Sequence, residues 1–259
     1  MPVHIESCHQ SGIGSQPAFK TPVLVAHVKR GYEDRRRSIE RQLGALGMPF
    51  EFMLDGDIAD IDAELTARWF SPAFGPGPAQ SCACKHLLMF ERLSQAGWSG
   101  ALILEDDIFL AEDFVAVFDA SLEELRSRNP GLLDTAWISY ENTGHKRPSR
   151  RDLRPGQLLY PNLVTRCMGA YYIGRGAAQS LLQLAESRKV DRAIDAWVED
   201  VAGLIPESLQ IYWCHPAVAE QGSMNGQFDS MDPRRRASPW RRFKWTIDKW
   251  YKSLKHRVS

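Results

Sequence analysis

Several features that would assign this 259-residue chain to a specialised class are missing from it. No early segment combines a basic start, an apolar stretch and a cleavage site, so we expect no secretory signal. No run approaches the roughly 18 apolar residues that a membrane span needs. No Gly-x-x-x-x-Gly-Lys-Ser/Thr segment is present to hold phosphates. These absences argue against a transmembrane protein and against a P-loop enzyme.

Cysteine is also scarce, with five residues and no paired metal-knuckle spacing. Cys82 and Cys84 are too isolated to predict a zinc site, and we interpret Cys82 as a packing residue. An odd, scattered set of cysteines fits a reducing compartment, so we expect a cytoplasmic protein.

Net charge is zero, but it is unevenly distributed. From Arg234 onward there are ten Lys or Arg against Asp248 alone, so the body of the chain is acidic and the tail is basic. Trp240, Phe243 and other apolar residues recur there at three- and four-residue intervals, which predicts a basic amphipathic helix after Ser238. We expect residues 234–259 to bind the inner face of the cytoplasmic membrane peripherally; the alternative is a terminal helix that docks on the body.

The rest of the chain alternates predicted strands and helices. Residues 1–20 have no periodicity and are predicted to form a flexible arm. Residues 21–233 repeat strand and helix, which predicts an α/β domain with a mainly parallel central sheet flanked by helices.

The most informative segment is Ala101–Ile108, in which four apolar residues run into three adjacent carboxylates. Side chains alternate along a strand, so Glu105 and Asp107 should project to one side and Asp106 to the other. Hard divalent ions favour such oxygen ligands, and ligands bind beyond the carboxyl ends of strands in α/β sheets. The segment therefore predicts a metal or nucleotide site; the alternative is an acidic, solvated turn.

A family resemblance begins at this segment. Cys82 four residues before His86, then a helix, then a strand ending in Glu105-Asp106-Asp107, resembles glycosyltransferase family 25, which includes lipooligosaccharide and collagen galactosyltransferases. Further matching blocks are the Arg-rich first helix, Gly169–Ile173, Asp195 with Trp197, and His215-Pro216 with Gln221. Lys85 departs from the pattern, which has Ser before the His.

The resemblance implies a GT-A-like nucleotide-sugar fold and an inverting, metal-dependent transfer, with galactose from UDP-galactose as the first candidate and a cell-surface glycan such as lipopolysaccharide core as acceptor. Mn²⁺ or Mg²⁺ would be held by Asp107 and Glu105. His86 is interpreted as a core histidine or one that supports the metal ligands.

Other residues are candidates for the donor and for catalysis. Glu105 and Asp106 are joined as donor-binding candidates by Arg30 and Arg35, which suit phosphates, and by Asp55, which suits uracil or ribose. A solvated helix face and a turn are the respective alternatives.

Asp195 is the first candidate for the base that deprotonates the acceptor, although a helix-capping role is also open. Glu141 is the second candidate, and Glu199 and Asp200 are held in reserve.

Two other functional classes stay open at this point. A nucleic-acid-binding protein could use the basic aromatic tail, but the acidic body argues against it and we expect no nucleic-acid partner. A metal-dependent nucleotidyltransferase also needs clustered carboxylates, although it usually has a Gly-rich phosphate loop as well.

Overall fold

The structure, a computed structural model, describes residues 5–8 (backbone only), 19–141, 148–225 and 227–228. The helix predicted after Ser238 lies outside these residues. Ten strands are present in the described part: β1 Ile5–Cys8, β2 Val23–Ala26, β3 Phe50–Met53, β4 Gly100–Glu105, β5 Ile108–Leu110, β6 Ala136–Ser139, β7 Leu159–Asn162, β8 Ala170–Gly174, β9 Gln210–Cys214 and β10 Ala219–Gln221.

The α-helices of the described part are α1 Glu33–Ala45, α2 Ala63–Trp69, α3 Pro78–Gln95, α4 Phe114–Arg128, α5 Leu132–Thr135, α6 Arg175–Arg188, α7 Ile194–Ala202 and α8 Gly222–Asn225. The predicted α/β class is confirmed.

Eight strands form one sheet in the order β1-β3-β2-β4-β8-β6-β9-β7, and β10 pairs with β5 in a small second sheet. Strands β2, β3, β4, β6 and β9 run in one direction, whereas β1, β7 and β8 run against them. The sheet is therefore mixed, with the parallel direction in the majority. The antiparallel β8 at its centre was not predicted, because a short buried strand has the same apolar pattern in either direction.

Strand β1 lies within residues 1–20, which the sequence predicts to form a flexible arm. Residues 5–8 pair antiparallel with β3 at the edge of the sheet, and the arm as a whole stays a prediction. Backbone pairing at a sheet edge needs no periodic side-chain pattern, so sequence periodicity could not indicate it.

Two cores lie on opposite faces of the sheet, and alternation along β4 assigns its side chains to them. Ala101 and Ile103 pack in the core with α3, α6 and α7. Leu102 and Leu104 pack in the core with α1 and α4. Because the chain continues from these alternating positions, the acidic residues that follow reach both faces.

Candidate active site

The five strands that share a direction end at one edge of the sheet, and the candidate site lies there. Glu105 ends β4, Asp55 follows β3 and Glu141 follows β6. Ligands in α/β folds bind at such an edge, where loops of different strands converge.

Asp106 lies on the α1 side of the sheet, and both of its oxygens have partners, His27 and Arg35. One of its carboxylate oxygens is 2.6 Å from His27 Nδ1, and the other accepts a hydrogen bond from Arg35 at 3.1 Å. All three side chains are buried. Sequence reasoning missed His27, which follows β2 and carries no motif of its own. The geometry gives Asp106 the role of anchoring α1 to the sheet edge.

Glu105 lies on the α3 side, as the predicted alternation requires. Its Oε1 is 3.5 Å from Cys82 Sγ and 3.5 Å from His86 Nε2, and its Oε2 accepts a 2.7 Å hydrogen bond from Gln221. Burial opposes ionisation of Glu105, but the facing His86 imidazole outweighs it and holds the pKa of the carboxyl below its ordinary value. Cys82 packs against the core on this side of the sheet, as predicted, and its sulfur also contacts the Glu105 carboxylate.

His86 is fully buried and connects Glu105 to the core. Its Nδ1 is 2.7 Å from the hydroxyl of Tyr171, and the Tyr171 ring stacks on Trp137 with centroids 3.9 Å apart. The His86 imidazole thus lies on α3 between the core residue Tyr171 and the Glu105 carboxylate.

Asp107 is the least satisfied member of the triplet. It is 2 % exposed, and its Oδ2 accepts one hydrogen bond from the backbone N–H of Ser223 at 3.1 Å. Its Oδ1 is buried and has no hydrogen-bond partner among the described residues. Burial, reinforced by the charge of Glu105, raises the pKa of Asp107 to about 6. A cation beside this oxygen would remove both penalties.

The segment Gln221–Ser223 closes the site from the C-terminal side. Gln221 contacts Glu105, and the N–H of Gly222 donates to the Asp107 backbone carbonyl at 2.7 Å. A side chain at Gly222 would collide with Phe109 and Phe228. These contacts come from pairing of β10 with β5, two short strands that sequence reasoning missed.

The loop after β3 is fixed by lysines. Lys85 is buried, and its Nζ donates to the carbonyls of Leu54 and Asp55 at 2.8 and 3.1 Å and lies 2.8 Å from the Asp57 carboxylate. The Asp55 side chain pairs with Lys29 at 3.1 Å. Lys85, a departure from the family pattern in the sequence, thus acquires a structural role in holding this loop against α3.

The arginines of the loop after β2 and of the first turn of α1 differ in exposure. Arg30 is exposed on the loop before α1. Arg35 is buried, lies 4.4 Å from the centroid of the Tyr32 ring, and pairs with Asp106. Arg36 is half-buried over Phe52 and pairs with Glu40. The predicted phosphate-binding role of Arg30 and Arg35 stays a prediction, and in this structure the Arg35 guanidinium holds Asp106.

The candidate bases occupy contrasting surroundings. Asp195, in the first turn of α7, is partly exposed and close enough for its charge to raise the pKa of the Cys82 thiol, behind burial and Glu105. Glu141 is 2 % exposed and accepts a hydrogen bond from the N–H of Gly169 at 3.0 Å. Burial and the charge of Glu105 raise the pKa of Glu141 well above its ordinary value. This environment disfavours ionisation of Glu141, and the roles of Asp195 and Glu141 as bases stay predictions.

The two reserve candidates for the base, Glu199 and Asp200, have other partners. Glu199 accepts a hydrogen bond from Thr165, and Asp200 is exposed and pairs with Arg192 at 2.6 Å. A surface ion pair gives Asp200 no connection to the acidic triplet.

The residues present fit a hard divalent ion at Asp107. The unpartnered buried Oδ1 is an oxygen donor of the kind that Mg²⁺ and Mn²⁺ prefer, and the charge of Glu105 acts on the same carboxylate. Asp106 does not fit this role, since both of its oxygens are already bound.

Comparison with known proteins decides the family. The model of glycosyltransferase family 25 (LPS biosynthesis protein) matches residues 21–197, more than half of the chain. The chain belongs to glycosyltransferase family 25. A comparison with curated proteins gave no match. The matched range contains the acidic triplet and ends just after Asp195, whereas the closing segment Gln221–Ser223 lies beyond it.

Membership in glycosyltransferase family 25 supports glycosyltransferase activity, with a nucleotide sugar as donor and a glycan as acceptor, as predicted from the sequence. In the part of the chain that the structure describes, no helix has the length and apolar character needed to cross a membrane.

Proposed function

We propose that this glycosyltransferase transfers a hexosyl group, with galactose as the first candidate, from a UDP-sugar to a cell-surface glycan such as lipopolysaccharide core. The donor would bind at the sheet edge with a divalent ion, Mn²⁺ or Mg²⁺, held by Asp107 and supported by Glu105. The observation that carries the proposal is the buried Asp107 Oδ1, which has no hydrogen-bond partner among the described residues of a family 25 member.

A bound divalent ion would offset the charge that develops on the departing diphosphate. The side chains of the protein would position the two substrates and deprotonate the acceptor hydroxyl. Asp195 would take the proton of the acceptor hydroxyl as that oxygen attacks the anomeric carbon on the face opposite the UDP. Gln221 donates to Glu105 and His86 faces it, so these two residues would hold the Glu105 carboxylate in position when a donor binds.

Donor binding is tested with a panel of nucleotide sugars and thermal unfolding. UDP and UDP-galactose should raise the melting temperature in Mn²⁺ but not in EDTA, because the ion links the carboxylate to the diphosphate. The shift should vanish in Asp107→Asn and persist in Asp119→Asn, which changes an exposed carboxylate on α4. Equal shifts in EDTA and Mn²⁺ would rule out the metal assignment, and a shift with a different nucleotide sugar alone would replace the donor.

We also propose that the basic segment 234–259 binds anionic membrane at the cytoplasmic face, where the acceptor lipid would be available. The proposal is supported by ten basic residues beside Trp240, Phe243 and the other aromatic residues of the segment. Deletion of 238–259 should abolish sedimentation with anionic vesicles while leaving activity on a small soluble acceptor. Vesicle binding that survives the deletion would refute this role, and a truncated protein that unfolds would show that the segment belongs to the core.

A further inference from the structure

Beside the oxygen-rich position at Asp107, the α3 side of the site presents a second set of possible ligands. Cys82 Sγ, His86 Nε2 and a carboxylate oxygen of Glu105 all lie within 4.8 Å of one another. Sγ and Nε2 are each 3.5 Å from Glu105 Oε1. Ligands of a tetrahedral zinc ion are separated by about 3.3–3.6 Å, given the usual Zn–S and Zn–N bond lengths. Two of the three separations already match that spacing.

His86 Nε2 is the atom that these contacts leave unexplained. The side chain is fully buried, and Nε2 has no hydrogen-bond partner among the described residues. Glu105 Oε1, at 3.5 Å, is beyond the usual range of an N–H···O bond. A buried polar atom without a partner costs free energy, and an ion bound by Nε2 would remove that cost.

Tyr171 supplies the support that a metal-binding histidine normally has. Its hydroxyl is 2.7 Å from Nδ1, so once an ion occupies Nε2, Nδ1–H can donate to the Tyr171 oxygen and hold the ring with Nε2 facing Cys82 and Glu105. Stacking of Tyr171 on Trp137 fixes this arrangement.

Charge and access also suit a cation. The carboxylates of Glu105, Asp195 and Asp107 all act on the Cys82 sulfur, so the local field is negative. Cys82 and Glu105 are partly exposed, whereas His86 is buried, which leaves an entry path from the Cys82 side. One thiolate and one carboxylate would balance a doubly charged ion.

We propose that Cys82, His86 and Glu105 form a binding site for Zn²⁺ or a similar borderline-soft divalent ion, distinct from the hard-ion position at Asp107. Sulfur and imidazole nitrogen select such an ion over Mg²⁺ or Mn²⁺. The three protein ligands would leave a fourth position open. Binding releases the Cys82 proton to solvent. Isolated cysteines did not predict such a site from the sequence, but the four-residue spacing from Cys82 to His86 places both side chains on one face of α3.

The test uses Co²⁺ as a spectroscopic substitute for Zn²⁺ in the full chain, with Cys8 and Cys167 replaced by Ser in every protein so that their sulfurs cannot bind cobalt. Co²⁺ added to the chelator-treated protein should produce a thiolate-to-cobalt absorption band, and Zn²⁺ should displace it. Cys82→Ser should remove the band. Cys84→Ser, a buried neighbour on the same helix that lies outside the cluster, should keep it.

A second variant keeps the test informative if Cys82→Ser fails to fold. Tyr171→Phe keeps the ring on Trp137 but removes the hydroxyl at Nδ1, and it should weaken Co²⁺ binding by roughly 10–100-fold without removing the band. Absence of the band in the parent protein, or its survival in Cys82→Ser, would overturn the proposal. Asp107→Asn should keep the band while losing the Mn²⁺-dependent UDP shift, so failure of this site and failure of the proposed function are separable.

Discussion

Asp106 and Asp107 have the same side chain and are both buried, but their hydrogen-bond partners differ. On the α1 side, Asp106 has a cationic or polar partner on each oxygen, His27 and Arg35. Asp107 is also buried, but it keeps one oxygen without a hydrogen-bond partner in the described structure, and its pKa rises to about 6. Two adjacent residues thus differ in role: the Asp106 carboxylate holds α1 to the sheet, whereas the Asp107 carboxylate has an oxygen available to a ligand.

The contrast follows from the elements that supply the partners. Strand alternation turns Asp106 toward α1, where Arg35 occurs in the first turns of the helix. Asp107 instead meets the backbone of Ser223, which can satisfy one oxygen only. A buried carboxylate left partly unsatisfied costs free energy, and proteins retain such groups where a ligand or reaction uses them.

The largest expected effect concerns the α3 side, where Asp195 is the candidate base. Asp195→Asn should lower turnover by roughly 10²–10⁴, the range for a positioned general base, with UDP affinity close to that of the parent protein. Steady-state kinetics and UDP titration in Mn²⁺ measure the two quantities. Asp200→Asn, which changes an exposed carboxylate near the other end of α7, is the matched control and should stay within a few-fold.

Two outcomes would change this assignment. Turnover within a few-fold of the parent would transfer the role to Glu141 or Glu199. Loss of UDP affinity would make Asp195 a donor-site residue, because a base acting only on the acceptor does not contribute to nucleotide binding.

The next effect tests the α1 side as an anchor. Asp106→Ala leaves buried Arg35 and His27 without their carboxylate, and loss of one partner of a buried ion pair should lower the free energy of unfolding by about 3–5 kcal/mol. Urea unfolding measures it. Asp34→Ala removes an exposed carboxylate that pairs with Arg37 on the same helix, and it should cost less than about 1 kcal/mol. Equal losses in the two variants would remove the distinction between Asp106 and a surface acid.

Sequence patterns located this site but not the contacts that differentiate it. The apolar run before Glu105 predicted the strand, its end and the opposite sides taken by Glu105 and Asp106, because these are local properties. His27, Lys85 and Gln221 reach the site from other elements, and no periodicity reports such long-range contacts. Lys85 was visible only as a departure from a family pattern, although it holds the loop after β3.

The missed strands have a similar explanation. Strand β7 contains Pro161, which argues against a strand in sequence, yet an edge strand tolerates it. Strands β5 and β10 have three residues each, too few for a period to show. Their pairing nevertheless carries Gln221 and Ser223 to the acidic triplet, so the least predictable elements complete the candidate site.

The smallest expected effect is a pH dependence that separates Asp107 from Asp106. Between the ordinary pKa of 3.8 and about 6, the folded protein keeps a proton on Asp107 that the unfolded chain has lost. The free energy of unfolding of the metal-free protein should therefore fall as pH rises through this window, by up to about 3 kcal/mol, and stay lower above it. Asp107→Asn cannot ionise, so it should be more stable than the parent at pH 7 and equal to it below pH 4.

Urea unfolding in EDTA from pH 4 to pH 8 measures the difference between the two proteins. A difference that does not change with pH would show that Asp107 ionisation is not the source of the penalty. Saturating Mn²⁺ should reverse the order at pH 7, because an ion that binds only the folded parent stabilises it by mass action, whereas the amide of the Asp107→Asn variant offers no charged oxygen to the ion. The same experiment on Asp106→Asn should show no gain at pH 7, since its carboxylate is held by His27 and Arg35 in the folded protein.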